Sequence, residues 1–458
     1  MLRREFLSFG AAAALAQQRK RPNFIFLFAD DLGWGDLGCY GNTHIKTPNL
    51  DRLAGQGTLF TQFYVNSGVC SPSRTGFMTG QYPARHRIHG HLAEEQQNAR
   101  RGMPNFLDPK VPNLARLLKE NGYATAHYGK WHLGNGEGAP PPEAYGFDDS
   151  RTVNSNGKGW EEERDPWFRA RSTSYIVDET IRFIENNRER PFYVNTWTLV
   201  PHATLNPTEE QMKPYANHAP IGIGHKSAAQ IYYASVTDLD NQVGRLMARL
   251  ETIGLARDTL IFFSSDNGPE DIHIRNAAHS GIGSPGPLRG RKRSLYEGGV
   301  RTPCLVRWPA AIPPGRVDKD SVLTGVDFLP TMAKLAGVST PPGHALDGED
   351  RSTAFESPAA RSKPIYWEWR FNIAGHVINR SPMLAMREGD WKLLMNPDRS
   401  RVELYEIPRD PSELNNRAPE KPEIVARMSP KLLAWQKQLP PGPVEPAAGR
   451  NDYPWPGR

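Results

Sequence analysis

Cysteine is scarce in this chain. Only Cys39, Cys70 and Cys304 occur among 458 residues, without any Cys-x-x-Cys spacing. Three cysteines cannot all pair, so a disulfide framework is not expected. Long apolar runs are missing too. No segment beyond the N-terminus approaches the roughly 18 continuous apolar residues of a membrane span, so no transmembrane anchor is expected. Charge of one sign is also absent: Lys+Arg number 56 against Asp+Glu 50, a formal net charge of +6. No basic run is long enough for a nucleic-acid footprint, and no nucleic-acid partner is expected. A few cations gathered in a cleft would still favour an anionic substrate. There is no internal repeat.

The length suits one large domain and a smaller one. Asn23 to Ala29 is apolar without alternation, the pattern of a strand buried on both faces. Pro112 to Asn121 carries leucines at helical spacing and ends before Gly122. Strands are expected over 123–128, 192–197 and 259–263, and helices over 174–186 and 226–251. Alternating strands and helices predict an α/β fold with a mostly parallel sheet covered by helices. Beyond about Pro341 the texture changes. Short strand patterns over 366–369, 383–386, 391–394 and 402–405, with a helix over 424–436, predict a small antiparallel sheet and a terminal helix. The tail from Pro440 is expected to lie on the surface without regular structure.

Polar residues recur just after the expected strands: Asp30-Asp31, Lys130 with His132, His202, and Asp266-Asn267. Strand ends are where ligand sites form in open α/β sheets, so four separated segments would converge on one cleft. Taken alone, paired acids after a strand also cap turns. The set Asp30, Asp31, Asp266 and Asn267 offers only oxygen, which favours calcium or magnesium over zinc.

Cys70 opens the phrase Cys70-Ser71-Pro72-Ser73-Arg74, followed by Thr75-Gly76-Phe77-Met78-Thr79-Gly80. Arg74 places a permanent charge within a turn of Cys70, and a helix starting near residue 70 would help hold an anion. This phrase resembles the signature of the type I formylglycine-dependent sulfatases of the alkaline phosphatase superfamily. Gly129-Lys130-Trp131-His132-Leu133-Gly134 and Ser265-Asp266-Asn267-Gly268 resemble further blocks of that family. Gly290-Arg291-Lys292 departs from it by having Arg291 where a second glycine is usual. The resemblance implies an alkaline-phosphatase-like large domain and a sulfuric ester hydrolase. It implies that a formylglycine-generating or sulfatase-maturing enzyme converts Cys70 to Cα-formylglycine, whose hydrate is the nucleophile. One geminal hydroxyl attacks sulfur, and the second lets the sulfated intermediate collapse and release sulfate. It further implies one Ca2+ held by Asp30, Asp31, Asp266, Asn267 and the oxidised residue 70. Arg74, Lys130 and Lys292 become the fixed positive groups. His132 handles the hydrate proton, and His202 contacts sulfate and protonates the leaving group, with Lys130, His202 and Lys292 binding substrate. Arg289, Arg291 and Arg293 are read as surface or rim groups. His86, His89 and His91 are candidates for the pocket wall, and Trp160, Trp167 and Trp197 for sugar stacking or core packing. With Cys70 modified, Cys39–Cys304 is the only pair left.

The phrase Asp36-Leu37-Gly38-Cys39-Tyr40-Gly41 is similar to arylsulfatases and N-acetylgalactosamine-6-sulfatases, which implies a sulfated saccharide as substrate and exo action. A general arylsulfatase, a phosphate or phosphonate monoester hydrolase, and an inactive glycan-binding protein stay open as alternatives. The expected division is a leader over 1–19, a catalytic domain over 20–340 and a C-terminal domain over 341–458. Met1-Leu2-Arg3-Arg4-Glu5-Phe6-Leu7 and the alanine run to Ala16 form a secretory pattern, similar to a twin-arginine signal. Export to the periplasm or the exterior is therefore expected. N-terminal sequencing of exported protein should begin just past Ala16. An intact Met1 on cytoplasmic protein would count against a leader.

Overall fold

The computed structural model describes residues 21–218, 227–275 and 277–451; the expected leader lies outside them. Among the described residues the large sheet has nine strands. They are β1 Asn23–Asp30, β2 Thr58–Tyr64, β3 Ala124–Lys130, β4 Asp149–Val153, β5 Phe192–Pro201, β6 Thr259–Ser265, β7 Arg301–Arg307, β8 Arg316–Asp318 and β9 Leu323–Thr324. The order is β4-β3-β5-β1-β6-β7-β2-β8, with β9 also on β2. From β4 to β6 all neighbours run parallel; β7 is antiparallel to β6 and β2.

The apolar run of β1 explains the layering. Successive side chains of a strand face opposite sides. Phe24, Phe26 and Phe28 enter one core, shared with Phe77 and Phe328 from the Cys70–Thr79 and Phe328–Ala336 helices. Ile25, Leu27 and Ala29 enter the other, under the Phe168–Asn186 and Ala228–Thr252 helices. The strand is thus covered on both faces. The helix expected from Ser174 begins at Phe168, because Phe168, Ala170, Ser172 and Thr173 are buried as well. The long helix begins at Ala228, with Ser227 accepting from the Gln230 N–H; Lys226 lies outside the described residues. β5 continues to Pro201, four residues past its expected end, and β3 includes Lys130.

A second, antiparallel sheet holds β10 Ile365–Glu368, β11 Leu384–Glu388, β12 Trp391–Met395 and β13 Glu403–Glu406. The Pro422–Gln436 helix packs on it through Met428, Leu432 and Trp435. The tail has no regular structure over its described residues, 440–451, as expected there, but it is not merely superficial. Leu439 and Ala448 are buried in the same core, and the Glu445 N–H donates to the Arg370 carbonyl. No helix among the described residues is long and apolar enough to cross a membrane. The three cysteines are free.

The two sheets meet through buried charge. Lys392 Nζ lies 2.9 Å from Glu297 Oε1 and 3.0 Å from Glu413 Oε1, with all three side chains fully buried. Tyr64 and Arg301 also donate to Glu297. Arg289, expected at the surface, belongs here instead. Its guanidinium lies 3.7 Å from the Tyr296 ring centroid, and it donates to the Tyr405 hydroxyl and the Glu413 carbonyl. The Tyr405 hydroxyl, the Glu413 carbonyl and the Glu403 carboxylate, 3.9 Å away, make burial of that cation tolerable. Removing one member of a buried ion cluster leaves the others uncompensated, typically at about 3–5 kcal/mol. Lys392→Ala should therefore lower the unfolding free energy read from urea titration by about that amount. A loss under about 1 kcal/mol, the range of exposed pairs, would show that this cluster does not hold the sheets together.

Candidate active site

The C-terminal ends of β1, β3, β5 and β6 lie side by side. Ala29 pairs with Ser265, Asp30 with Pro201 and Gly129 with Trp197. That register brings the four expected segments to one edge. Gly129 is required for it: a Cβ there would lie 1.8 Å from the Trp197 carbonyl oxygen, and its φ is +107°. Gly268 is equally constrained, 1.9 Å from the Gly298 carbonyl.

Three ion pairs organise the site. Lys130 Nζ lies 2.5 Å from Asp30 Oδ2, Lys292 Nζ 2.7 Å from Asp31 Oδ2, and an Arg74 nitrogen 2.7 Å from Asp266 Oδ2. Arg74 is also fixed by the Lys130 carbonyl, 2.9 Å away, and by the Trp197 and Phe28 rings. Trp197 is fully buried and belongs to the core; it supports Arg74 rather than a sugar. Trp160 is buried, while Trp167 is exposed. Burial pushes Asp30 and Asp31 up, but Lys130, His202 and Arg74 around the first, and Lys292 and His202 around the second, hold both below the usual carboxylate value. Burial and the neighbouring Asp30 lift Asp266, against the pull of Arg74.

Cys70 is the first residue of the Cys70–Thr79 helix and is 3% exposed. Val69 at the cap provides no side-chain bond. The open helix end therefore carries partial positive charge at Cys70. The next turn supplies Arg74, as the sequence suggested.

Asp31 and His132 follow β1 and β3 in the left-handed region, with φ of 66° and 54°. Such backbone is costly for residues with a Cβ and concentrates at functional sites. The Nε2 of His132 lies 3.0 Å from the Leu92 carbonyl, which can only accept, so Nε2 carries the proton. Its Nδ1 is buried without a hydrogen-bond partner and is free to accept. Burial, Lys130 and Arg74 lower the imidazole to about 3, so it is neutral near pH 7. The Nδ1 of His202 lies 2.6 Å from the Ala203 carbonyl and is likewise the protonated nitrogen. Burial and Lys292 lower His202 to about 4.

The sequence reading missed Glu270. This buried carboxylate lies 3.6 Å from Lys292 Nζ and accepts from Arg293 at 2.6 and 3.0 Å. Its position four residues after Asp266 was the available signal. Arg293 and Arg291, read as solvated, both serve this segment; Arg291 donates to the Glu270 carbonyl. Of the three candidate histidines, His89 faces Glu368 of the small sheet at 3.5 Å. His86 shares its surroundings with His344 and Asp347. Of the three, His91 alone has Arg101, Lys292 and Arg293 among the charges that act on it. Asp36 ties its loop down by accepting from Gly33, Ser284 and Tyr232.

The family model described as Sulfatase matches residues 22–338. The chain belongs to the sulfatase family. A second model, the C-terminal region of N-sulphoglucosamine sulphohydrolase, matches residues 290–438. This sulfatase is 29% identical to an N-acetylgalactosamine-6-O-sulfatase of Bacteroides thetaiotaomicron, over 91% of the chain and 93% of that protein. It is 33% identical to human arylsulfatase A, covering 74% of the chain and 69% of that protein. Mouse steryl-sulfatase is also 33% identical, and the chain spans 66% of its length. The structure of Ps i-CgsB in complex with k-i-k-neocarrahexaose superposes with a TM-score of 0.76 at 27% identity, covering 91% and 93% of the two chains. A phosphonate monoester hydrolase of Agrobacterium radiobacter shares the fold, with a TM-score of 0.65 at 22% identity over 91% and 96%.

The site of this sulfatase suits a hard divalent cation. Asp30 Oδ1 and Asn267 Oδ1 are buried oxygens with no hydrogen-bond partner, while the Asn267 amide nitrogen donates to Asp31. Ligand atoms of Asp30, Asp31 and His202 lie within 4.8 Å of one another. His202 Nε2 faces Asp31 Oδ2 at 3.8 Å, so an imidazole lone pair meets a carboxylate. A proton on Nε2 would turn that contact into an ion pair. A ligand that binds only the folded state stabilises it by about 2.7 kcal/mol at a hundred times its Kd. Calcium should accordingly raise the melting temperature of the metal-free protein, and Asp30→Asn should abolish the rise. A response to zinc and none to calcium or magnesium would overturn the oxygen-site assignment.

Proposed function

We propose that this chain hydrolyses sulfate esters of a saccharide, with Cys70 oxidised to Cα-formylglycine by a maturing enzyme. The observation that carries the reading is Cys70 at the uncapped end of the helix whose next turn sets Arg74 against Asp266, Asp30 and the Lys130 carbonyl, beside the Asp30–Lys130 and Asp31–Lys292 pairs. Asp30, Asp31, Asp266 and Asn267 would hold one calcium, which polarises a bound sulfate and stabilises an oxyanion at residue 70; the oxidised side chain supplies paired geminal hydroxyls.

The remaining work falls to the chain's own residues. Lys130, Lys292 and the helix end hold the anionic oxygens of sulfate. Arg74 keeps residue 70 and Asp266 in register. The free Nδ1 of His132 takes a proton from the site. His202 is neutral in this environment, but an arriving anion raises its proton affinity. It can then protonate the departing alcohol oxygen. The substrate we favour is a terminal sugar bearing a 6-sulfate, N-acetylgalactosamine or galactose first, in keeping with the saccharide enzymes among the relatives. The proposed units are residues 20–340 for catalysis and 341–458 for its C-terminal support. The second family match, over 290–438, crosses that boundary, as does the Glu297–Lys392 pair.

A phosphate or phosphonate ester is the second reading, motivated by the shared fold with the phosphonate hydrolase. Matched sulfate and phosphate esters of the same sugars separate the two. Wild type should release sulfate at least about a hundredfold faster, as expected when one site is tuned to one transition state. Cys70→Ser should keep its melting temperature and lose turnover. Equal hydrolysis of phosphate esters would defeat the reaction class, and wild-type turnover by C70S would defeat the nucleophile.

A further inference from the structure

The segment that carries His202 leaves the sheet irregularly. Between Phe28 and Asp30, β1 advances two residues, while β5 opposite advances four, from Trp197 to Pro201. A bulge of this kind takes carbonyls out of the ladder and re-aims side chains. One side chain gathers three carbonyls of the bulge and the turn after it. Arg169 stands in the first turn of the Phe168–Asn186 helix and is half-buried. Its Nη2 donates to the Leu199 carbonyl at 2.9 Å and to the His202 carbonyl at 2.5 Å, and its Nε donates to the Thr204 carbonyl at 3.1 Å. All three hydrogen bonds of the guanidinium thus go to one segment. Bonds from a charged donor are roughly twice as strong as neutral ones.

The same segment fixes the His202 ring. Nδ1 meets the Ala203 carbonyl at 2.6 Å, which leaves Nε2 turned toward the site, 3.8 Å from Asp31 Oδ2. Both the backbone of His202 and the carbonyl that orients its ring therefore depend on how residues 199–204 curl around Arg169. Other ties join the same two stretches without reaching His202. The Asn206 amide donates to the Pro166 carbonyl and the Gln211 amide to the Ala170 carbonyl, and Phe168 and Leu205 are buried in one core. Loss of the guanidinium would release the histidine while helix and loop stay together.

We propose that Arg169 is a positioning residue: it holds the backbone on both sides of His202 so that Nε2 meets the oxygen of the departing alcohol. The proposal rests on the leaving-group role given to His202 above. As an oxygen of residue 70 bonds to sulfur, the ester S–O bond breaks toward the sugar oxygen, which takes the Nε2 proton and leaves a neutral imidazole. A sugar alkoxide is a poor leaving group and needs that proton, whereas a nitrophenolate departs without it. Arg169 then governs turnover of saccharide esters and has little bearing on activated aryl esters.

The test compares wild type, Arg169→Gln, Arg169→Lys, His202→Asn and the R169Q/H202N pair. The two substrates are the sugar sulfate that wild type turns over best and 4-nitrophenyl sulfate. R169Q should lower kcat on the sugar ester about tenfold to a hundredfold, the scale of a displaced general acid, with KM little changed. On the nitrophenyl ester its kcat should stay within about twofold. R169K should fall between R169Q and wild type, because an ammonium lacks the planar fork that reaches all three carbonyls. Adding R169Q to H202N should cost nothing more on the sugar ester, since residues acting as a unit are not additive. An arginine that merely supports the fold would slow both esters alike and would add to H202N; either result overturns the proposal while the role of His202 stands. If H202N itself slows both esters equally, or neither, the leaving-group role fails and the proposal falls with it. Should wild type release sulfate from neither ester, crystal structures decide. Displacement of His202 Nε2 by about 1 Å or more in R169Q supports the positioning, and an unmoved ring overturns it.

Discussion

Carboxylates cannot be packed together out of water unless matching positive charge is buried with them. Asp30, Asp31 and Asp266 are each at most 1% exposed, and Lys130, Lys292 and Arg74 answer them one for one. The cluster is therefore formally neutral as it stands. A divalent cation among the same oxygens turns it positive, and an anion is then what restores the balance. Affinity for metal and affinity for sulfate follow from one electrostatic constraint. The rest of the fold serves to bring these six groups together from distant parts of the chain.

The parallel sheet does this by aligning strand ends. Register places the four ends level, while the apolar interiors of β1, β5 and β6 keep the strands immobile beneath them. The strain at Asp31 and His132 is confined to the first residues beyond β1 and β3, where the chain must turn while its side chains remain inside. A rigid sheet below can sustain unfavourable backbone above it. The ion cluster around Lys392 extends the same logic to the small sheet, whose edge strand β10 ends in Glu368 against His89.

The sequence made the strands readable because a strand buried on both faces is apolar without interruption, and β1 and β6 are cases of this. It also pointed to the residues that converge, since polar residues recur at the ends of such runs and the register brings Asp30, Lys130, Pro201 and Ser265 to one sheet edge. Lengths were harder. β5 runs on to Pro201 through residues that stay buried only because β1 and β3 flank them, which local pattern does not report. Glu270, Arg289 and Arg293 were misjudged or missed for a related reason. Each is charged in a polar stretch; Glu270 and Arg289 are buried, and Arg293 half-buried against Glu270, by partners or loop conformations that composition does not encode. Trp197 could have served a ligand or a core; its full burial, with Arg74 above its ring, decides between them.

The burial of Cys70 has a consequence for the order of events in the protein's life. All ten residues of its helix are buried, Pro72 and Arg74 included. A macromolecular catalyst that must grip this stretch as an extended segment finds no such segment in the folded molecule. Any enzymatic conversion of Cys70 is thus a race against folding, won on the nascent or newly released chain or not at all. Under the nucleophile proposed above, a population that folds first would be stable, well ordered and permanently inert. Specific activity would then record the history of each molecule's synthesis rather than the integrity of its structure.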